Sequence, residues 1–302
     1  MKASPKLMLE IPANCNDYCV FCSLWNRAKT VFPEWEVFRR QVALYHKKGG
    51  TGTVIRLGGG EPLFSIDDFR AFLKNLMVYG QKISFCTNGK NLHLLNNKDF
   101  KGIENIGISL LSHKKECFNA LKPQSSYDGI IKNIEKARKW ENRPPIFLLT
   151  LINAVTVGHL DEFADFAENL GFSWGIEVQD KDFTTFDIQD KIKWLFDFDL
   201  NTLEKQLVLL QKRNKNKMSD KYLSAILKYY CAIQNNNYRV NKAPEPLCHA
   251  KFVRVCENGT LNCPSNGLSQ IITEFKDYFK AVENCMESCG VKSCDTRLIE
   301  SF

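Results

Sequence analysis

Residues 6–22 read KLMLEIPANCNDYCVFC. KLMLEIP is an apolar stretch of strand length. Three cysteines, Cys15, Cys19 and Cys22, follow at once, spaced C-x3-C-x2-C. Twice more a short apolar run leads directly into an unusual loop. TVIRL (53–57) is followed by GGGEPL (58–63), and KISFC (82–86) by TNG (87–89). Read as strands, the three runs place all three loops at their C-terminal ends.

The segments between the runs are helical in pattern. PEWEVFRRQVALYHKKGG has Pro33 near its start and Gly49-Gly50 at its end. SIDDFRAFLKNLMVYG opens on Ser65, a suitable N-cap, and stops at Gly80. The alternation continues through IGISLL (106–111), the helix YDGIIKNIEKARKW, PIFLLTLI (145–152), the helix HLDEFADFAENLG and SWGIEVQ (173–179). Strands alternating with helices predict parallel pairing with helical crossovers. Six such units fall short of a closed eight-unit barrel of about 250 residues. The expected fold is therefore α/β, a partial (β/α)6 TIM-like barrel over residues 1–200. A helical connection over 201–245 carries LEKQLVLLQK and KYLSAILKYY. A small cysteine-rich module over 246–302 follows, where Cys, Gly, Asn and Pro replace the apolar runs.

The 302 residues are 44% hydrophobic and 25% charged, the balance of a globular protein. The net charge of +7 is spread along the chain. The densest basic run, KRNKNK (212–217), reads as a solvated helix end, and no basic patch interleaved with aromatics indicates nucleic acid. No signal peptide is visible, and the longest apolar run (144–158) is too short to span a bilayer. A cytoplasmic, membrane-free protein is expected.

In that compartment twelve cysteines suggest metal or redox chemistry rather than disulfides. Three lie at 15–22 and six between 248 and 294; Cys86, Cys117 and Cys231 are isolated and read as small buried hydrophobes. Chance gives about 0.02 occurrences of C-x3-C-x2-C at this cysteine content, so the spacing carries meaning. Three thiolates on one loop suit an iron–sulfur cluster or a zinc ion, yet a closed site of either kind takes four protein ligands. GGGEP offers a close-approach backbone and one carboxylate, Glu61, that can accept from an ammonium. Taken alone, the glycines and the TNG would be turns.

Together these motifs resemble the radical S-adenosylmethionine (radical SAM) superfamily over roughly residues 7–180. Its cysteine loop is matched by Cys15, Cys19, Phe21 and Cys22, its GGE motif by Gly59, Gly60 and Glu61, and its strand-three motif by Thr87, Asn88 and Gly89. The resemblance implies that Cys15, Cys19 and Cys22 hold a 4Fe–4S cluster whose fourth iron is chelated by S-adenosylmethionine. The missing ligand is then the cosubstrate. It also implies that Phe21 lies against the adenine, that Glu61 and its glycines hold the methionine ammonium, and that Asn88, Ser109 and Lys122 line the cosubstrate. Ser109 would serve the ribose or carboxylate and Lys122 the carboxylate. The family's SLDG is SLLS here. Asn153, after the fifth strand, is a further candidate or a turn residue.

The C-terminal module resembles the SPASM or shorter twitch extension. Cys248 and Cys263 flank Gly259, and Cys285, Cys289 and Cys294 follow as C-x3-C-x4-C. Its spacings are shifted by one residue and its later cysteines are missing. That implies one auxiliary 4Fe–4S cluster on Cys248, Cys263 and two of Cys285, Cys289 and Cys294, with Cys256 packing in the turn. A zinc knuckle on the same thiols remains the alternative.

The activity implied is cleavage of S-adenosylmethionine to a 5′-deoxyadenosyl radical, which takes a hydrogen from substrate, with a net oxidation of a small alcohol, a sugar or a peptide. A flavodoxin- or ferredoxin-like protein would supply the electron. With strand one beginning at residue 6, no leader-binding region precedes it, which counts against a peptide. An RNA substrate and a non-catalytic metal-binding module are the other readings. Glu177, Asp180 and Asp182 could supply a base, although surface solvation suits each one.

Overall fold

The computed structural model describes residues 6–11, 15–22, 35–47, 54–178, 193–213, 220–235, 252–255 and 261–262. The expected alternation is present. Strand β1 (Lys6–Ile11) leads to α1 (Trp35–Lys47), β2 (Val54–Gly59), α2 (Ile66–Val78) and β3 (Lys82–Thr87). Then come α3 (Asn97–Phe100), β4 (Ile103–Ile108), α4 (Lys115–Leu121), α5 (Tyr127–Arg138) and β5 (Ile146–Ile152). α6 (Leu160–Asn169), β6 (Ser173–Val178), α7 (Leu200–Arg213), α8 (Asp220–Asn235) and a hairpin of β7 (Phe252–Val255) and β8 (Leu261–Asn262) complete the described elements. The sheet order is β6-β5-β4-β3-β2-β1-β7-β8. β1 to β6 are parallel, and among the described residues β6 does not return to β1. The architecture is an unclosed partial barrel, as the sequence implied.

Side chains alternate across each strand, which divides the sheet into two faces. Ile83 and Phe85 of β3 face the helices, and Phe85 meets Phe69 of α2 edge-on at 5.2 Å. α2 presents Phe69, Phe72, Leu73 and Leu76 at helical spacing, all buried. Each such side chain contributes about 1.5–3 kcal/mol on burial. Ser65 caps the helix by accepting from the Asp68 N–H at 3.4 Å. Ser84 and Cys86 point the other way, into the barrel. There Ser84 is level with Arg56 and Asn105, and Cys86 with Gly107. Gly107 allows a close approach. A Cβ in its place would lie 2.7 Å from Leu149 Cδ1 and 2.8 Å from Cys86 Sγ.

Two elements, β4 and β7, depart from the sequence reading. β4 begins at Ile103 and ends at Ile108, so Ser109–Ser112 form a strap beyond it in which Leu111 takes a left-handed φ of 68°. β7 pairs in parallel with β1, Lys6 opposite Phe252 and Leu7 opposite Val253. The 252–255 segment is thus an added strand of the barrel sheet. α7 and α8 pack onto the barrel. Arg213 of α7 pairs with Asp161 and, at 2.5 Å, with Asp165 of α6, and the Tyr230 hydroxyl of α8 donates to the Ile152 carbonyl at 2.5 Å. The cysteines at 248, 256, 263, 285, 289 and 294, together with Asp180 and Asp182, lie outside the described residues.

Candidate functional site

The loops after β1, β2 and β3 meet at one end of the sheet. Cys15, Cys19 and Cys22 are half-buried and in no disulfide, on a turn closed by the Cys22 N–H donating to the Cys19 carbonyl at 3.1 Å. Burial pushes the Cys15 thiol up to about 11 and the Cys19 thiol up to about 12. Without metal, Cys15 and Cys19 are therefore thiols at neutral pH, and metal binding releases their protons. Three cysteine thiols on one turn are the donor type a 4Fe–4S cluster takes, one thiolate per iron. The donor set thus fits the cluster.

Glu61 sits behind this loop, 3% exposed. Its Oε1 accepts from the Thr87 hydroxyl at 2.6 Å and the Leu63 N–H at 3.0 Å, and its Oε2 from the Asn88 N–H at 2.7 Å. A carboxylate has about four acceptor positions, so Oε2 keeps capacity for one donor more. Burial raises the pKa of Glu61, and the three hydrogen bonds oppose that rise. Gly59 ends β2 with φ 103°, a conformation suited to glycine, and turns the chain toward Glu61. Asn88 Nδ2 donates to Asn16 Oδ1 at 2.7 Å, which joins the β3 exit to the cysteine loop.

Residues 9–167 match the Radical SAM superfamily. The chain belongs to that superfamily. It is 25% identical over 169 residues to a probable GTP 3′,8-cyclase of Thermococcus kodakarensis, covering 55% of this chain and 53% of that protein. The chain spans about half the length of the curated relatives it matches. Among solved structures it is similar in fold to Streptococcus suis SuiB bound to S-adenosylmethionine (TM-score 0.57, 16% identity, 86% of this chain and 60% of that one). A second is native anSMEcpe with bound AdoMet and a Cp18Cys peptide (TM-score 0.55, 16% identity, 97% and 87%).

The other radical SAM positions fall as follows. Phe21 packs against the core. Ser109 donates its N–H to the Thr87 carbonyl at 2.8 Å, and its own carbonyl accepts from Lys122 Nζ at 2.8 Å. Asn153 is fully buried and forms a turn in which Oδ1 accepts from the Val155 N–H at 3.0 Å.

Asp17 and Arg56 carried no role in the sequence reading, whereas Glu177 stood there as a candidate base. Asp17, between the first two cysteines, is 1% exposed and pairs with Lys122 at 3.1 Å and Lys90 at 3.3 Å. Burial raises the Asp17 carboxyl, but Lys122, the Ser125 hydroxyl and Lys90 outweigh it, so its pKa is lowered. Arg56 lies on the inner face and donates to Cys86 Sγ at 2.8 Å and Ser84 Oγ at 3.4 Å. Cys86 is thus no inert packing group; burial pushes its thiol to about 11, against the Arg56 charge. Glu177 of β6 is opposite Leu151 on that face, and burial raises its pKa against the attraction of Arg56. A charged letter inside an apolar run, Arg in TVIRL or Glu in SWGIEV, was the available signal.

No helix among the described residues is long and apolar enough to cross a membrane.

Proposed function

We infer that the protein binds a 4Fe–4S cluster and S-adenosylmethionine where the β1, β2 and β3 loops converge, and uses them to take a hydrogen atom from a substrate held on the inner barrel face. The convergence of the Cys15/Cys19/Cys22 loop, Glu61 and Asn88 at one end of a parallel sheet carries this reading, since active sites of such sheets lie at the C-terminal strand ends. The cluster, when loaded, supplies the electron that cleaves S-adenosylmethionine. The chain's own residues bind and orient. The three thiolates hold iron, the spare acceptor position of Glu61 Oε2 takes the methionine ammonium, and the strands exclude water from the reacting centre.

Arg56 and Glu177 put a cation and a carboxyl on the inner face beside the apolar Phe147, Leu149 and Leu151 of β5. This suits a substrate with an anionic group and a hydrogen-bond donor, set on an apolar body. A net oxidation of a small alcohol, a sugar or a peptide is the reaction proposed. One auxiliary cluster on Cys248, Cys263 and two of Cys285, Cys289 and Cys294 would receive the second electron, and a flavodoxin- or ferredoxin-like reductant the chain's docking. A nucleotide is the second reading. It is favoured by the similarity to a probable GTP 3′,8-cyclase, and Arg56 is the cation that would meet its phosphate. The test is anaerobic incubation of reduced protein with S-adenosylmethionine and each substrate class, following 5′-deoxyadenosine. A nucleotide stimulating its formation where alcohols, sugars and peptides do not would replace the first reading by the second.

A further inference from the structure

We propose that Lys122 and Asp17 fasten the cysteine loop, and that Lys122 is a positioning residue for the three thiols rather than a ligand of the cosubstrate carboxylate. The proposal rests on Cys15, Cys19 and Cys22 being the cluster ligands.

Asp17 is the middle one of the three residues between Cys15 and Cys19. A carboxylate as buried as this one persists only with partners. They come from two directions. Lys122 Nζ, at the end of α4, lies 3.1 Å from Oδ2 as an ion pair, and the Ser125 hydroxyl donates to Oδ1. From the β3 exit, Lys90 Nζ lies 3.3 Å from Oδ1. Lys122 is itself only 1% exposed. Its ammonium also donates to the Ser109 carbonyl, and lies 5.8 Å from the Phe118 ring centroid. Those partners enclose it, leaving almost no surface where a soluble cosubstrate could reach it.

The neighbouring backbone is tied to the same two elements. The Val20 N–H donates to the Leu121 carbonyl at 3.0 Å, and Lys90 Nζ donates to the Asn16 carbonyl at 2.6 Å. The loop between the first and second cysteines is therefore held from the α4 side and from the β3 side, with Asp17 as the shared post. Three thiolates on one short loop repel each other. A loop fixed before metal arrives, with two ammonium groups beside it, meets that repulsion in advance.

The test compares reconstituted wild type with Lys122→Met, Asp17→Asn and the double variant. The readouts are iron loss to a ferrous chelator and S-adenosylmethionine binding at equilibrium. Each single variant should lose iron about 10- to 100-fold faster, the usual range when a ligand's supporting shell is removed. The double variant should be no faster than the worse single one, because both delete the same pair. Lys122→Met that keeps wild-type iron retention while S-adenosylmethionine binding weakens would overturn the proposal, as would single effects that multiply in the double variant. If either single variant fails to fold, Lys90→Met and Ser125→Ala remove more exposed or smaller parts of the same fastening. Both should hasten iron loss, and wild-type retention in both would overturn it. In the metal-free chain, the variants should expose Cys15 and Cys19 to a disulfide reagent faster than wild type; equal rates would overturn the proposal even if the loop took up no iron. Wild type that takes up no iron there would separately sink the cluster reading.

Discussion

Thr87→Val removes one hydroxyl and keeps the shape of the side chain. That hydroxyl is buried and donates to Glu61 Oε1 at 2.6 Å, while its oxygen accepts from the Gly89 N–H at 3.2 Å. A hydrogen bond to a buried charged acceptor contributes about 1.5–3 kcal/mol, and the orphaned Gly89 N–H adds to the loss. A total of about 2–3 kcal/mol is expected. Unfolding entropy of about 2.1 cal/mol/K per residue makes that about 3–5 °C in Tm for a cooperative chain of this length. Differential scanning calorimetry of the metal-free protein measures it. Thr87→Ser, which restores the donor, should recover most of the loss. The loss should also be non-additive with Glu61→Gln, since the two share one contact. A Thr87→Val shift below about 1 °C, or full additivity, would show that Glu61 is not what joins the β2 and β3 exits.

Two further outcomes follow from the charges and thiols. Glu177 is held above its ordinary value of 4.5 by burial, so the protonated form is the one the fold favours. Its contribution is fully present below the unfolded pKa and is lost as pH rises through the folded one. The Tm of Glu177→Gln minus that of wild type should therefore increase from pH 4 to pH 7, and a flat or falling difference would refute the placement of Glu177. Reconstituted wild type should hold about eight irons, and the Cys15/Cys19/Cys22 triple alanine variant about four. The remainder should disappear when Cys248 and Cys263 are also replaced; zinc in place of iron would make the module structural.

The barrel was legible because its strands are short apolar runs ended by glycine or loop letters, and its helices repeat at helical spacing. Ser65 was named as a cap from sequence and caps α2. α3 and α4 escaped notice because four and seven residues give no period. β7 escaped because its partner, β1, is nearly the whole chain away, and parallel pairing at that separation leaves no local signature. The cysteine motif and GGE were visible as letters. Asp17 was not. It read as a spacer, since its partner Lys122 is over a hundred residues distant and only the fold brings the two together. For Glu177 the sequence left a base in the barrel mouth and a solvated surface carboxyl both open, because periodicity alone does not say which face of a parallel strand is covered.

The most direct measurement of the central claim is 5′-deoxyadenosine formed by anaerobically reconstituted, reduced protein given S-adenosylmethionine. Wild type should form it together with methionine, while Cys19→Ala, folded to the same far-ultraviolet circular dichroism, should form none. Wild type that carries the loop's iron yet cleaves no S-adenosylmethionine, or a Cys19→Ala variant that cleaves it undiminished, would contradict the account.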